Sequence, residues 1–152
     1  MQLRPYQAEA KDAINKSFAE GIKRTLLVLP TGCGKTIVFA KLIEDRVKMG
    51  ERVLVLAHRG ELLEQAADKL QKATGLICAV EKANQSAIDS WYRVTVGSVQ
   101  TLMREKRLSR FPHDYYDLIV IDEAHHCLAE SYQNILKHFD TAKVLGVTAT
   151  PD

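Results

Sequence analysis

The chain contains six short runs of apolar residues, separated by stretches that are more polar. The runs are continuously apolar rather than alternating, which is typical of strands buried on both faces of a parallel sheet. The pattern predicts strands at residues Thr25–Leu29, Arg52–Ala57, Leu76–Val80, Val94–Val96, Leu118–Ile121 and Val144–Val147.

Several of the intervening stretches have the apolar spacing of amphipathic helices. Pro5 suits the first turn of a helix, and Gly50 and Gly75 stand where two helices should stop. Strands that alternate with helices imply right-handed crossovers and an α/β fold, with helices on both faces of a mainly parallel sheet. The predicted helices are Pro5–Phe18, Thr36–Met49, Glu61–Ala73 and Ser131–Phe139, and the polar segments Lys82–Tyr92 and Arg104–Tyr116 are predicted to be surface connections.

Length, charge and cysteine content narrow the class of protein. A chain of 152 residues corresponds to one domain. Its net charge is only +2, so binding of nucleic acid would require a local basic patch. No apolar run is long enough to span a bilayer. The three cysteines, Cys33, Cys78 and Cys127, are widely spaced, which fits a reduced, cytoplasmic setting better than disulfides or a zinc site.

The first chemical motif is the segment Pro30-Thr31-Gly32-Cys33-Gly34-Lys35-Thr36, directly after a predicted strand. Its glycines let successive backbone N–H groups point into one concavity for phosphate oxygens, and the following helix adds the positive end of its dipole. Lys35 would reach the β- and γ-phosphates, and the Thr36 hydroxyl would ligate Mg²⁺. The alternative is a glycine-rich turn with a solvated Lys35. The full P-loop pattern also has a glycine where this chain has Leu29.

The second motif, Asp122-Glu123-Ala124-His125, follows the strand Leu118–Ile121. Asp122 can hold Mg²⁺, and Glu123 can polarise the water that attacks the γ-phosphate. The alternative is an acidic pair that caps the next helix. Ligands of open α/β sheets bind beyond the carboxyl ends of the strands, where both motifs lie. Together they predict one site for ATP and Mg²⁺.

With these motifs the chain resembles the first RecA-like domain of superfamily 2 helicases, in the broad DEAD/DEAH-box sense. It is most similar to the group of restriction-enzyme helicase subunits and bacterial repair helicases. The resemblance implies a three-layer RecA-like P-loop NTPase domain over residues 1–152, in which the first glycine of motif I is often replaced. It is carried by six segments in the family's order, namely Leu3–Gln7, Leu29–Thr36, Val55–Leu62, Val94–Gln100, Asp122–His125 and Thr148–Thr150.

The resemblance assigns roles that the residue types alone leave open. It implies that Gln7 contacts adenine, whereas sequence alone favours a surface glutamine; Arg4 either stacks on the base or pairs with an acid. Nucleic-acid contacts are implied for His58, Arg59, Gly97 and Ser98, which otherwise form a solvated loop and a helix start. The resemblance also implies that His125, Thr148 and Thr150 couple the ATP state to the groove that holds the nucleic-acid strand. By residue type alone, the two threonines are ordinary β-strand residues.

The implied function is an ATP-driven motor that unwinds or translocates along nucleic acid, with DNA favoured over RNA. In this family a second RecA-like domain supplies arginines to the γ-phosphate. The chain stops at Pro151-Asp152, just after a predicted strand, so we expect a truncated protein with weak nucleotide binding, little hydrolysis and no unwinding.

Three alternatives remain open at this point. A duplex translocase would use the same residues. A nucleotide-gated binding module is disfavoured by the intact Glu123. A metabolic P-loop kinase is disfavoured by the adenine and strand-contact segments, which a kinase does not need.

Overall fold

A computed structural model of the protein describes residues 3–30, 34–57, 63–81, 92–122 and 130–150. Its strands are β1 (Arg24–Pro30), β2 (Val53–Ala57), β3 (Cys78–Glu81), β4 (Val94–Ser98), β5 (Leu118–Asp122) and β6 (Lys143–Thr150). They form one parallel sheet in the order β1-β6-β5-β2-β4-β3. The six predicted strands are confirmed. Because β1 lies at one edge beside β6, the first and last strands are neighbours, with Arg24 opposite Val144.

The helices of the described residues are α1 (Pro5–Ala19), α2 (Lys35–Lys48), α3 (Leu63–Thr74), α4 (Val99–Leu102), α5 (Glu105–Leu108) and α6 (Glu130–His138). The four predicted helices are confirmed, and α4 and α5 are additional. Gly50 and Gly75 follow α2 and α3 with φ of +88° and +75°, so both predicted stops use the left-handed conformation that glycine adopts readily. No helix in these ranges is long and apolar enough to cross a bilayer.

Side chains alternate between the two faces of the sheet and build a separate core on each. In β2, Val53 and Val55 join one core, whereas Leu54 and Leu56 join the other. The first core is closed by α1, α2 and α3, with buried residues such as Phe18, Leu42 and Leu70. The second is closed by α6 and an aromatic group that includes Phe111, Tyr116, Tyr132 and Phe139. The predicted α/β fold with helices on both faces is therefore confirmed.

The prediction that residues Arg104–Tyr116 form a surface connection is wrong. The segment contains α5, and its Phe111 and Tyr116 are only 2% and 1% exposed. The Tyr116 hydroxyl donates to Oγ1 of Thr95 in β4 at 3.0 Å, and the Phe111 ring packs on Tyr116 and Phe139. These aromatic residues replace a long helix as cover for the second core. The other predicted connection, Lys82–Tyr92, falls outside the described residues except for Tyr92, which is exposed.

Truncating Phe111 to alanine is expected to lower the free energy of unfolding by about 3–5 kcal/mol, since it removes a buried ring and leaves a cavity. Urea denaturation followed by circular dichroism measures the loss. Met103→Ala is the control, because Met103 is 47% exposed and its truncation should cost no more than about 0.5 kcal/mol. Equal losses in the two variants would contradict the burial of Phe111.

Candidate functional site

The parallel sheet brings the carboxyl ends of its six strands to one edge. In register, Pro30 of β1 lies opposite Thr150 of β6, and Asp122 of β5 lies opposite Val147 of β6. Only β6 separates β1 from β5, so these two strands run about 10 Å apart, and β1 extends three residues beyond the level of Asp122. The end of β4 lies two strands beyond β5, across β2. One edge therefore carries both the ATP motifs and a predicted strand-contact segment.

The described end of the phosphate motif is the start of α2. Gly34 precedes the helix with φ of +71°, in the left-handed region, and its carbonyl accepts hydrogen bonds from the N–H groups of Ile37 and Val38 at 3.0 and 3.3 Å. Lys35 is the first residue of the helix, with its side chain outside the described part of the structure. Thr31, Gly32 and Cys33 also lie outside it.

Gln7 of α1 is packed against this loop end. Its side chain is buried, with 3% exposure, and its Oε1 accepts the backbone N–H of Arg4 at 2.9 Å. A β-carbon placed on Gly34 would lie 2.6 Å from Gln7 Nε2, so the two residues leave no room for a side chain between them. The interpretation of Gln7 as a surface residue is therefore wrong. Arg4, which directly precedes α1, is exposed.

A cavity of about 150 Å³ joins the two ATP motifs between α2 and α3. Thr36 of α2 and Asp122 of β5 both line it, which brings together the two residues predicted to hold Mg²⁺. A hydroxyl and a carboxylate are oxygen ligands of the kind that Mg²⁺ prefers. The volume suits a hydrated ion and phosphate oxygens but is below the roughly 300 Å³ typical of pockets that enclose a whole organic ligand.

Two polar residues of α3, Gln65 and Lys69, line the same cavity and belong to none of the motifs predicted from the sequence. They are four residues apart, so both lie on one face of α3. The rest of the described wall is apolar, with Phe39, Val55, Leu56, Ala57, Ala66 and Leu70. A Gln-x-x-x-Lys spacing is common on solvated helices, so the sequence contains no signal that would mark this pair.

The predicted nucleic-acid contacts are only partly within the described residues. Gly97 and Ser98 end β4, and Ser98 is 2% exposed and directly precedes α4. The helix start that sequence alone suggested is therefore present, and the Ser98 hydroxyl is largely shielded from solvent. His58 and Arg59 lie outside the described residues, so their contacts with nucleic acid stay predictions.

The predicted coupling residues are also only partly within the described residues. Thr148 of β6 is half-buried beside Val28 of β1, and Thr150 is described only by its backbone, opposite Pro30. His125 and the predicted base Glu123 lie outside the described residues. The strand that carries both threonines thus runs between the two strands that precede the ATP motifs.

Thiol chemistry is excluded at the one cysteine that the structure describes. Cys78 of β3 is buried, and burial raises the pKa of its thiol to about 11. At neutral pH it is therefore protonated and a poor nucleophile.

Known proteins with the same arrangement were found by comparison. The model of the family described as "Type III restriction enzyme, res subunit" matches residues 1–152. The chain is 40% identical, over 97% of its length, to "Putative ATP-dependent helicase IRC3" of Saccharomyces cerevisiae, of which it covers 23%. It is 32% identical, again over 97% of its length, to "Type I restriction enzyme EcoAI endonuclease subunit" of Escherichia coli, of which it covers 19%.

A solved structure reproduces the fold. The "Sulfolobus solfataricus SWI2/SNF2 ATPase core in complex with dsDNA" matches 99% of this chain with a TM-score of 0.75 and 25% identity, over 32% of its own chain. The chain therefore spans less than a quarter of the two curated relatives and about a third of this structure. The RecA-like character of the sheet, expected from the six motifs, is confirmed.

Proposed function

Because the chain belongs to the family described as type III restriction enzyme, res subunit, and shares its RecA-like fold with superfamily 2 helicases, we propose that it is the ATP-binding motor domain of a nucleic-acid-dependent ATPase. The observation that carries the proposal is the cavity shared by Thr36 and Asp122 at the carboxyl edge of the sheet. A relative that is 40% identical over nearly the whole chain bears the name of an ATP-dependent helicase.

In the proposed site, the segment Pro30–Thr36 surrounds the phosphates with backbone N–H groups, and the start of α2 adds a positive dipole end. Lys35 contacts the β- and γ-phosphates, and Thr36 and Asp122 hold Mg²⁺. The ion, when bound, neutralises charge that develops on the phosphate oxygens. Glu123 accepts a proton from the attacking water.

The adenine end of the nucleotide is assigned to Gln7, with Arg4 beside it. The packing of Gln7 against Gly34 supports this assignment, because it fixes the amide next to the loop that holds the phosphates. An amide can both donate to and accept from the edge of a base. Here its Oε1 accepts the Arg4 N–H at 2.9 Å, which holds the amide in one orientation at the start of α1.

Nucleic acid is proposed to lie across the other half of the edge, beyond β2 and β4. His58, Arg59 and the backbone around Gly97 and Ser98 would contact its phosphates, which positions a strand without reading its sequence. Coupling to ATP is assigned to His125, Thr148 and Thr150. The position of β6 between β1 and β5 supports this role, because a shift of β6 would displace the two strands that precede the ATP motifs.

The proposal extends to a longer protein, because the chain spans only 19–23% of two of its relatives. Residues 1–152 are proposed to be the N-terminal RecA-like domain, which works with a second RecA-like domain in the cytoplasm, on DNA rather than RNA. Such a domain would supply an arginine to the γ-phosphate, and an arginine of this kind is worth roughly 10³–10⁵ in rate for related phosphoryl transfers. Slow hydrolysis is therefore expected of this chain alone.

The test is ATP hydrolysis under single-turnover conditions, with the chain in excess over ATP so that slow rates are measured. Single-stranded DNA, duplex DNA and RNA are each added in turn. The expected result is Mg²⁺-dependent ATP binding and slow hydrolysis that one of the polymers stimulates. Failure to bind ATP would refute the ATP site, and hydrolysis that no polymer changes would refute the nucleic-acid-dependent motor.

Translocation along duplex DNA without strand separation is the second candidate, since a structure 25% identical to this chain is described in complex with dsDNA. Stimulation by duplex DNA but not by single strands would favour it over unwinding.

A further inference from the structure

The positive charge of the protein is concentrated in one short segment. Residues 104–110 contain four of the 21 lysine and arginine residues and one of the 19 acidic residues. They therefore carry a charge of +3, and the remainder of the chain, with 17 basic and 18 acidic residues, carries −1. We refer to Arg104, Lys106, Arg107 and Arg110 as the basic patch. Without it, the protein would have no net attraction for a polyanion.

The basic patch is held on an ordered, well-anchored support. Arg104 directly precedes α5, and its carbonyl accepts the N–H groups of Arg107 and Leu108 at 3.0 and 2.9 Å. The turns continue without a break, because the N–H of Arg110 bonds to the carbonyl of Arg107 and that of Phe111 to the carbonyl of Leu108. Leu108 and Phe111 are buried in the second core beneath. The cations are therefore arrayed on a fixed surface, which reduces the entropy lost when they bind.

Three cations of this patch, Arg104, Lys106 and Arg110, lack the acidic partners that other cations of the described residues have. Lys11 pairs with Asp45 at 2.7 Å, Arg46 with Glu51 at 3.2 Å, and Lys41 and Lys48 both with Glu44. In contrast, no ion pair within 4.0 Å joins Arg104, Lys106 or Arg110 to any carboxylate of the described residues, and all three are exposed. Their charges are thus available to an external anion.

The basic patch is connected through α4 to the edge of the sheet that carries the candidate site. Ser98 ends β4 at this edge, and α4 leads from it directly to Arg104. Arg104 is six residues beyond Ser98, four of them in α4, which corresponds to about 9 Å at the rise of a helix. Val99 and Leu102 of α4 are buried, and α4 packs against α5 and α6, so this spacing is fixed.

We propose that Arg104, Lys106 and Arg110 form a phosphate-backbone contact for nucleic acid beyond the strand-contact segment at the end of β4. The inference rests on the proposed function and adds residues that none of the six resemblance segments includes. Exposed arginine and lysine side chains with no base-reading geometry contribute affinity that is independent of sequence and strongly dependent on salt. A nucleic-acid strand leaving the edge at β4 would pass over α5.

The test compares two triple variants that change net charge equally, from +2 to −1. The first is Arg104→Gln/Lys106→Gln/Arg110→Gln. The matched control is Lys16→Gln/Lys48→Gln/Lys72→Gln, whose lysine side chains are 77%, 71% and 76% exposed on other helices. Binding of a labelled oligothymidylate and a labelled duplex is measured by fluorescence anisotropy without nucleotide, over about 50–200 mM salt.

The wild-type protein is expected to bind, and the patch variant is expected to reduce the slope of log affinity against log salt by about two to three. The control should keep the wild-type slope. Equal slopes in both triple variants would overturn the patch while leaving the proposed function intact, whereas a wild-type protein that binds no nucleic acid would refute both. Polyglutamate is tested in the same way as a model of an acidic protein. If the patch variant keeps the wild-type slope for nucleic acid but no longer binds polyglutamate, the patch is assigned to an acidic protein partner instead.

The single variants Lys106→Gln and Arg110→Gln guard against a folding defect in the triple variant. Each is expected to lower the slope by about 0.7–0.9. Thermal unfolding by circular dichroism verifies that every variant is folded. Two folded single variants with wild-type slopes would overturn the proposal.

Discussion

Replacing Glu123 with glutamine is expected to lower the rate of ATP hydrolysis by about 10²–10⁴-fold and to leave ATP affinity largely unchanged. Glutamine has nearly the same shape as glutamate, but its amide cannot accept a proton from the attacking water. In the proposed site, ATP binding depends instead on the segment Pro30–Thr36 and on Asp122. Single-turnover hydrolysis of labelled ATP and equilibrium binding of a fluorescent ATP analogue separate the two effects.

Asp114→Asn is the matched control, because it removes one negative charge from an exposed residue outside the site. It should hydrolyse ATP at the wild-type rate. A Glu123→Gln variant that is as active as this control would disprove the assignment of the base. Loss of both binding and hydrolysis would mean that Glu123 supports the structure of the site rather than the chemical step.

The second large effect is expected from Gly34→Ala, which should lower ATP affinity by at least about tenfold. Gly34 has φ of +71°, and the left-handed conformation costs a residue with a side chain roughly 1–2 kcal/mol. In addition, the new methyl group would lie 2.6 Å from Nε2 of the buried Gln7. Either the Gln7 amide must leave its hydrogen bond to the Arg4 N–H or the start of α2 must move, and both border the proposed phosphate loop. Equilibrium ATP binding measures the loss.

Gly75→Ala is the control that separates the backbone strain of a positive φ from the steric clash with Gln7. Gly75 has nearly the same φ, +75°, but a β-carbon placed there would meet no atom within 4 Å. This variant should show the strain as lower stability and keep its ATP affinity. If the collision is decisive, adding Gln7→Ala to Gly34→Ala should restore stability relative to Gly34→Ala alone. Equal ATP affinities of Gly34→Ala and Gly75→Ala would show that the packing of Gln7 against Gly34 is not needed for binding.

The sheet could be predicted from sequence because burial on both faces leaves a local signal. A run such as Leu118–Ile121 has no alternation, and the helices between the strands have their own period. The cover over the second core left no such signal. Leu108, Phe111 and Tyr116 are spaced by three and five residues in an irregular segment, so neither period applies, and their burial depends on where α6 and β5 lie.

The residues of the candidate site also divide into those that a local sequence motif marks and those that only tertiary packing places. Thr36 and Asp122 could be predicted because each is tied to a motif at the end of a strand. Gln65 and Lys69 could not, since their place in the cavity depends on how α3 packs beside β5. The resemblance assigned Gln7 to the nucleotide, but its residue type alone favoured the surface. Its burial follows from the docking of α1 on the start of α2, a contact between separate elements.

The pairing of β1 with β6 has a consequence for how the protein is made. β1 leaves the ribosome well before β6, its neighbour in the sheet, so β1 waits on the order of ten seconds at typical elongation rates before it can pair. During that time the side chain of Leu27, which is buried in the folded protein, and the backbone groups of β1 are open to aggregation or to a chaperone. β1 therefore takes its final place in the sheet only after β6 has been synthesised.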